Sequence, residues 1–251
     1  MFTTPLIILP IVFLFGITVG SFLNVCIYRL PLGEDIVHTD SHCMSCGHRL
    51  AWYDLIPVFS WLFLRGRCRS CGEKISVQYP AIELLNGLIW TGLIDTMGFS
   101  ATGICYCIAA SALLVLSVID WRTYEIPVGC NLVILAAGIA NLFFHKEAWI
   151  SFGIGLICVS GLLLLILLVS RGRAMGGGDV KLMAAAGLLL GWQGIILAFG
   201  VGCIAGSVIH VGLMKVKGKE RLLAFGPYLS LGIWFSMMWG AKLIDWYMGQ
   251  F

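Results

Sequence analysis

Long apolar stretches dominate this chain, and short polar segments separate them. Seven of these stretches approach the length of about 20 residues that a helix needs to cross a bilayer, and one further stretch is shorter. Their predicted bounds are Leu6–Tyr28, Pro80–Gly98, Thr102–Ile119, Pro127–Phe144, Trp149–Ser170, Val180–Leu190, Gly194–Met214 and Leu223–Tyr247. The pattern predicts an all-α polytopic membrane protein with about eight transmembrane helices.

Composition supports this class. Of 251 residues, 59% are hydrophobic and only 12% are charged, far from the average of soluble domains. The one sizeable polar segment separates the first two apolar stretches. We therefore expect three parts: transmembrane helix 1 over residues 1–28, a small cytoplasmic domain over 29–79, and a seven-helix membrane core over 80–251.

Basic residues predict how the helices are oriented, because short cytoplasmic loops carry an excess of Lys and Arg. Fourteen of the sixteen basic residues fall on one side of an eight-helix count. They are Arg29, Arg49, Arg65, Arg67, Arg69, Lys74, Arg122, Arg171, Arg173, Lys181, Lys215, Lys217, Lys219 and Arg221. Only Lys146 and Lys242 fall on the other side. The pattern predicts cytoplasmic basic loops with both termini outside. Topology thus explains the net charge of +3 without a nucleic-acid partner.

The polar segment contains two Cys-x-x-Cys pairs, each followed by glycine. Their members are Cys43, Cys46, Cys68 and Cys71. Four thiolates at this spacing are typical of a closed, tetrahedral zinc site. Two disulfides or a dithiol redox pair are the alternatives, but the predicted compartment is reducing. We expect Zn²⁺ to stabilise a domain too small to build much core. His38, His42 and His48 are interpreted as solvated loop residues.

Two aspartates occupy positions that membrane proteins normally avoid. Asp120 ends one apolar stretch, and Asp179 precedes another, directly after Gly176-Gly177-Gly178. Both fall on the predicted cytoplasmic side, so they can meet. A pair of carboxylates can activate a water and protonate a leaving amine, as aspartyl proteases do. Proton relay in a transporter, an ion site or a buried hydrogen bond are alternatives.

The glycine triplet makes a second prediction about this region. Glycine reaches backbone angles closed to other residues, so we expect the start of the sixth helix to be non-helical and open to an extended peptide. A flexible loop or close helix packing would use the same glycines.

Several motifs, taken in order, resemble the type IV prepilin peptidases, which are Gly-x-Gly-Asp intramembrane aspartyl proteases. The motifs are Gly20-Ser-Phe-Leu-Asn24-Val-Cys-Ile-Tyr-Arg29-Leu-Pro31, the two cysteine pairs, Tyr79-Pro80-x-x-Glu83, Asp120-Trp-Arg-Thr-Tyr-Glu-Ile126-Pro127 and Gly176-Gly-Gly-Asp179-Val-Lys-Leu. The resemblance extends from Gly20 through Phe225-Gly226-Pro227, which is almost the whole chain.

The resemblance implies an enzyme of the bacterial inner membrane with two activities. It implies removal of the basic leader from type IV prepilins or type II secretion pseudopilins at the cytoplasmic face. It also implies N-methylation of the new terminal residue with S-adenosylmethionine. By motif matching, Asp120 and Asp179 become the catalytic pair, and the four cysteines become the family's zinc site.

The residues that bind the methyl donor are not indicated by any motif. Asn24 and Glu83 are the polar groups near the junction of the polar segment and the helices, and an interhelical hydrogen bond would use them equally well. Glu34, Asp35, Asp40 and Asp54 are candidate contacts for a basic leader. A proton- or ion-coupled transporter or a zinc-dependent membrane scaffold remains the alternative function.

Overall fold

The computed structural model describes residues 7–173, 175–217 and 224–250, without the side chains of 210, 211 and 213–217. Two parts of the predicted topology, the start of the first span at Leu6 and of the last at Leu223, lie outside the described residues. So do Lys219 and Arg221, together with the side chains of Lys215 and Lys217.

The helices are α1 (Ile8–Arg29), α2 (Phe59–Phe63), α3 (Gln78–Met97), α4 (Ala101–Thr123), α5 (Val128–Phe144), α6 (Trp149–Val169), α7 (Gly177–Lys217) and α8 (Gly226–Met248).

The chain forms two compact units, Met1–Gly98 and Phe99–Phe251. In the first unit, α1 packs against α3 through glycines. A Cβ placed on Gly16 would lie 2.7 Å from Cα of Gly87, and one on Gly20 would lie 2.7 Å from Cα of Glu83. Small residues four apart let the two backbones approach closely, as in membrane helix pairs. The Asn86 amide donates to the Gly16 carbonyl at 2.7 Å and adds a polar contact to this interface.

The second unit consists of α4 to α8. The Ser100 side chain caps α4 by accepting a hydrogen bond from the Gly103 N–H at 3.0 Å. At its other end, Tyr124 adopts the left-handed conformation with φ 57°. Pro127 follows and restricts Ile126 to extended backbone, so the chain turns sharply before α5 begins. Pro227, in the first turn of α8, occupies a position where its missing N–H costs nothing.

Helix α7 is interrupted at Gly191, whose backbone has φ 75° and ψ 173°. Near the start of α7, Gly178 adjoins Ile126, which also adjoins Gly226 at the start of α8. Further along, Gly202 adjoins Tyr228 and Leu229, also near the start of α8. A straight helix would separate Gly178 from Gly202 by roughly 36 Å. The chain therefore reverses direction at Gly191, and α7 consists of two antiparallel arms.

The prediction of an all-α protein is confirmed, because the described residues contain helices and two isolated β-bridges but no strand. Within the described part of the chain, four stretches are long and apolar enough to cross a membrane: Ile8–Leu32, Ala101–Thr123, Lys146–Val169 and Gly177–Ile209. The number of eight spans stays a prediction. Helix α3 is less apolar, since it contains Glu83, Asn86 and Asp95, and α5 is shorter at 17 residues.

Two local predictions were wrong. The glycine triplet does not delay the helix to Val180, because α7 begins at Gly177. The N–H groups of a helix's first turn have no intrahelical partner, so glycines there do not interrupt the series of intrahelical hydrogen bonds. Helix α4 also does not end before Asp120 but continues to Thr123, which places Asp120 within its last turn.

Candidate active site and metal-binding segment

Asp120 is a buried carboxylate in the last turn of α4, with 4% of its surface exposed. Its Oδ2 accepts a hydrogen bond from the backbone N–H of Gly226 at 2.9 Å. A Cβ on Gly226 would lie 2.7 Å from that same oxygen. Glycine at this position therefore lets the carboxylate reach the N-terminus of α8.

Asp179 is buried in the first turn of α7, with 8% of its surface exposed. The backbone N–H of Gly176 hydrogen-bonds to its side chain. The two carboxyl groups are close enough to interact electrostatically. The structure thus brings together the two aspartates that the sequence singled out, at the ends of separate helices of one unit.

Ile126 packs beside the first turns of α7 and α8. A Cβ on Gly178 would lie 2.9 Å from the Ile126 Cβ, and one on Gly226 would lie 3.3 Å from its Cδ1. A side chain at either glycine would push Ile126 or the neighbouring carboxylate away. The glycines flanking the pair therefore allow close approach of α4, α7 and α8.

This arrangement can perform acid–base chemistry on a peptide bond. Two adjacent carboxyl groups favour a state in which one is protonated and the other ionised. The ionised group can take a proton from water while the protonated group donates one to a leaving amine.

The two cysteine pairs fold into similar loops in the first unit. In the first loop, the N–H of Cys43 donates to the His48 carbonyl at 2.9 Å, and Gly47 donates to Cys43 at 2.9 Å. In the second, Cys68 donates to Glu73 at 2.8 Å, and Gly72 donates to Cys68 at 3.0 Å. Gly47 and Gly72 have φ of 70° and 73°, values that favour glycine.

These loops bring four sulfurs into one cluster. The Sγ atoms of Cys43, Cys46, Cys68 and Cys71 all lie within 4.8 Å of one another. The Sγ atoms of Cys43 and Cys71 are 3.9 Å apart, while thiolates about 2.3 Å from a tetrahedral metal would be separated by roughly 3.8 Å. All four cysteines are free thiols. The cluster can therefore hold a metal ion.

Two thiols of the cluster differ in acidity. The backbone N–H groups of Cys46 and Ser45 lower the pKa of Cys43 to about 6, because they stabilise its thiolate. At Cys71 the Glu73 N–H lowers the pKa, but desolvation and the neighbouring thiols outweigh it and raise the pKa to about 12. A single thiolate thus forms most readily at Cys43.

The histidines of this segment lie outside the cluster, as the sequence predicted. His38, His42 and His48 are exposed. His38 contacts the Asp35 carboxylate at 2.8 Å, and His42 contacts the Asp40 carbonyl at 3.1 Å.

Three of the acidic residues considered for leader contacts already have partners. Asp35 is paired with His38, Asp40 with Arg49 at 2.9 Å, and Asp54 with Arg69 at 2.7 Å. Arg69 also lies over the Tyr53 ring, 5.0 Å from its centroid. Glu34 is exposed.

Asn24 and Glu83 lie together in the first unit, on facing helices. The Asn24 amide donates to the Tyr79 carbonyl at 3.1 Å. The Glu83 carboxylate accepts from the Val58 N–H at 2.7 Å and from the Ser21 hydroxyl. Each residue thus makes a hydrogen bond to another helix or loop, as one prediction requires. Each also has further acceptor capacity, so the other prediction, contact with the methyl donor, stays a prediction.

Sequence reasoning did not assign a role to Gly226 or Ile126. Gly226 supplies the N–H that holds Asp120, and Ile126 packs against both Gly178 and Gly226. The signal for Gly226 was its place directly before Pro227, which marks a helix start where N–H groups are unpaired.

Comparison with known proteins identifies relatives over nearly the full length. A family model described as the bacterial peptidase A24 N-terminal domain matches residues 14–96, and the type IV leader peptidase family model matches 107–211. A prepilin leader peptidase/N-methyltransferase of Aeromonas hydrophila is 31% identical over 98% of this chain and 96% of its own. A protein of the same name from Pectobacterium carotovorum is 36% identical over 89% of this chain and 90% of its own. Another from Myxococcus xanthus is 34% identical over 82% of this chain and 63% of its own. No solved structure matches the chain.

Proposed function

We infer the activity of this chain from one premise: it belongs to the type IV leader peptidase family, as the sequence motifs predicted. It is a membrane protein with peptidase and N-methyltransferase activity that processes prepilins and methylates the product. The comparisons give no support to a transporter or a scaffold.

We propose that Asp120 and Asp179 are the catalytic pair. The supporting observation is that two buried carboxylates from separate helices lie close enough to interact. The glycines beside them let these helices approach closely. One carboxylate removes a proton from water, whose oxygen attacks the scissile carbonyl. The other carboxyl group protonates the leaving amine as the C–N bond breaks, and the pair regains its shared proton.

The substrates we propose are type IV prepilins or type II secretion pseudopilins, cut at the cytoplasmic side of the inner membrane. Arg122, Arg171, Arg173 and Lys181 lie at the same end of the second unit as the two aspartates. Lys146 lies in the connection at the opposite end. This asymmetry favours a cytoplasmic active site.

The predicted division into a first transmembrane helix, a domain over 29–79 and a seven-helix core remains part of the proposal. Reversal at Gly191 supports eight spans, because it divides the longest apolar helix into two arms. The proposal also places membrane lipid around this helical core.

We propose Zn²⁺ as the metal of the cysteine cluster. Four thiolates form a closed shell, so zinc there would stabilise the fold of the 29–79 segment rather than activate water. S-adenosylmethionine is the proposed methyl donor; when bound, it supplies an activated methyl group to the new N-terminal amine.

The decisive experiment for catalysis compares Asp120→Asn, Asp179→Asn and the double variant. Asparagine keeps the shape but cannot ionise. Each single variant should abolish leader removal, measured by mass spectrometry on a prepilin-like peptide. The double variant should lose little more, because the pair acts as a unit.

Matched controls are Asp95→Asn and Asp245→Asn, since both aspartates are exposed and distant in sequence from the pair. Both should retain near-parental activity. Folded, inserted Asp120→Asn or Asp179→Asn protein that still removes the leader at the parental rate would refute the assignment.

A further inference from the structure

A cavity of about 730 Å³ lies in the first unit, between the facing ends of α1 and α3 and the cysteine segment. Its lining includes Asn24 and Tyr28 of α1, Tyr79 and Glu83 of α3, and Asp54 and Trp61 of the segment. A volume in this range holds a ligand the size of a nucleoside derivative. Neither catalytic aspartate belongs to this unit.

Two buried acceptors in the cavity wall have no hydrogen-bond partner among the described residues. Asn24 is 1% exposed; its amide nitrogen bonds to Tyr79, but its Oδ1 is unpaired. The Asp54 side chain is 2% exposed; its Oδ1 accepts both hydrogen bonds from Arg69, and its Oδ2 is unpaired. Buried acceptors are costly to leave unpaired, so these atoms point to a ligand that donates hydrogen bonds.

Glu83 adds negative charge to the same wall. It is 5% exposed, and none of the described ion pairs includes it. Its hydrogen bond to Val58 holds a β-branched residue at φ 63°, a conformation that such residues rarely adopt. A buried carboxylate without a cationic partner favours a ligand that carries positive charge.

Aromatic rings complete the lining. Tyr28 and Tyr79 stack with centroids 5.5 Å apart, and the Trp61 indole N–H donates to the Ile75 carbonyl at 3.2 Å. Such rings favour planar heterocycles and cations. The wall therefore combines unpaired acceptors, a carboxylate without a cationic partner and aromatic surface.

We propose that this cavity binds S-adenosylmethionine, with Asn24, Asp54 and Glu83 as its polar contacts. The ligand matches the wall in three respects: it carries a sulfonium and an ammonium cation, it donates hydrogen bonds, and it contains adenine. This assignment rests on the proposed N-methyltransferase function and locates the donor in the first unit.

The test uses the full-length enzyme in detergent micelles and measures S-adenosylmethionine binding by titration calorimetry. Asn24→Leu and Glu83→Gln should each weaken binding by about tenfold, the effect of one hydrogen bond to a polar or charged group. Glu83→Gln should weaken binding of S-adenosylhomocysteine less, because that ligand lacks the sulfonium charge.

Asn131→Leu is the matched control. Asn131 is also a buried helical asparagine whose side-chain atoms are unpaired among the described residues, but it lies in α5 of the other unit. Its replacement should leave the affinity unchanged. Equal affinities for wild type, Asn24→Leu and Glu83→Gln would overturn the site.

A second experiment uses the wild-type enzyme, so it tests the site even if the variants fail to fold. Ultraviolet crosslinking of radiolabelled S-adenosylmethionine to the wild-type enzyme should label peptides covering 21–28, 54–61 or 79–83. Label confined to residues 99–251 would overturn the site while leaving the methyltransferase function intact. Wild-type enzyme that binds no S-adenosylmethionine would instead refute that function itself. Label displaced by a processed pilin N-terminus, but not by S-adenosylhomocysteine, would assign the cavity to the methyl acceptor and also overturn the proposal.

Discussion

The backbone N–H of Gly226 donates a 2.9 Å hydrogen bond to the carboxylate of Asp120, which attaches the first turn of α8 to the last turn of α4. One oxygen of the proposed catalytic group is thereby held in a fixed place. Catalysis by paired carboxylates depends on such placement, since a misplacement of about 1 Å can lower a rate by a factor of about 100.

Gly226→Ala should lower the rate of leader removal by about tenfold to a hundredfold, because the new Cβ would lie 2.7 Å from Asp120 Oδ2 and displace it. Initial rates on a prepilin-like peptide measure the effect. Gly200→Ala is the control: its Cβ would meet nothing within 4 Å. Equal activity of the two variants would show that the Gly226 contact is dispensable.

Gly178→Ala should also slow leader removal, because its Cβ would lie 2.9 Å from the Ile126 Cβ. The neighbouring variant Gly177→Ala meets no atom within 4 Å and should retain activity. If the loss comes from steric contact, Ile126→Gly, which removes that Cβ, should partly restore the rate in the Gly178→Ala background. Additive losses in the double variant would contradict this explanation.

Sequence periodicity located most helices within a few residues, because long apolar stretches leave little choice of structure in a bilayer. Asp120 and Asp179 could be paired in advance from their shared side of the helix count. What the sequence could not supply were contacts that depend on packing, such as the Gly226 hydrogen bond and Ile126 between two glycines. The backbone freedom of glycine predicted a non-helical segment at the triplet, whereas α7 already begins at Gly177.

Tertiary contacts also decided the roles of the charged residues in the cysteine segment. The sequence made Asp54 a candidate contact for a basic leader, but its side chain is buried and paired with Arg69. The spacing of the four cysteines was sufficient to predict that they can form a metal-binding cluster. Each Cys-x-x-Cys-Gly motif specifies a local turn, and that turn does not depend on distant packing.

Cys68→Ser should reduce bound metal below one ion per chain and make residues 29–79 sensitive to proteolysis. Cys68 is 5% exposed and supplies one of four sulfurs, so its loss opens the shell and removes folding energy. Elemental analysis and limited proteolysis measure the two effects. Cys158→Ser, in α6 outside the cluster, should retain the metal. Unchanged metal content in Cys68→Ser would contradict a four-thiolate site.

Metal-free protein that keeps the folded loops of the 29–79 segment should be alkylated at Cys43 before Cys71. Its pKa of about 6 lies below the usual value of 9.0, so Cys43 is largely thiolate at pH 7, whereas Cys71, with a pKa of about 12, remains protonated. Mass mapping after brief iodoacetamide treatment should show Cys43 modified before Cys71. The Cys43 rate should fall as pH decreases through 6, and restored metal should protect both. Faster labelling of Cys71 would reverse the assignment.

Gly20→Ala should destabilise the first unit by about 1–3 kcal/mol, the usual cost of overpacking. Its Cβ would lie 2.7 Å from Glu83 Cα, and a backbone atom cannot move aside as a side chain can. Thermal unfolding in detergent, followed by tryptophan fluorescence, measures the change. Gly153→Ala meets nothing within 4 Å and should leave the midpoint unchanged.

The reversal at Gly191 gives the first arm of α7 a limited length. From Gly177 to Leu190 the arm extends roughly 20 Å, while the hydrocarbon layer of a typical bilayer is about 30 Å thick. Under the proposed eight-span topology this arm is shorter than the layer it crosses. Asp179 begins the arm, so we expect water to reach the proposed catalytic pair by a shorter path than a full-length helix would allow.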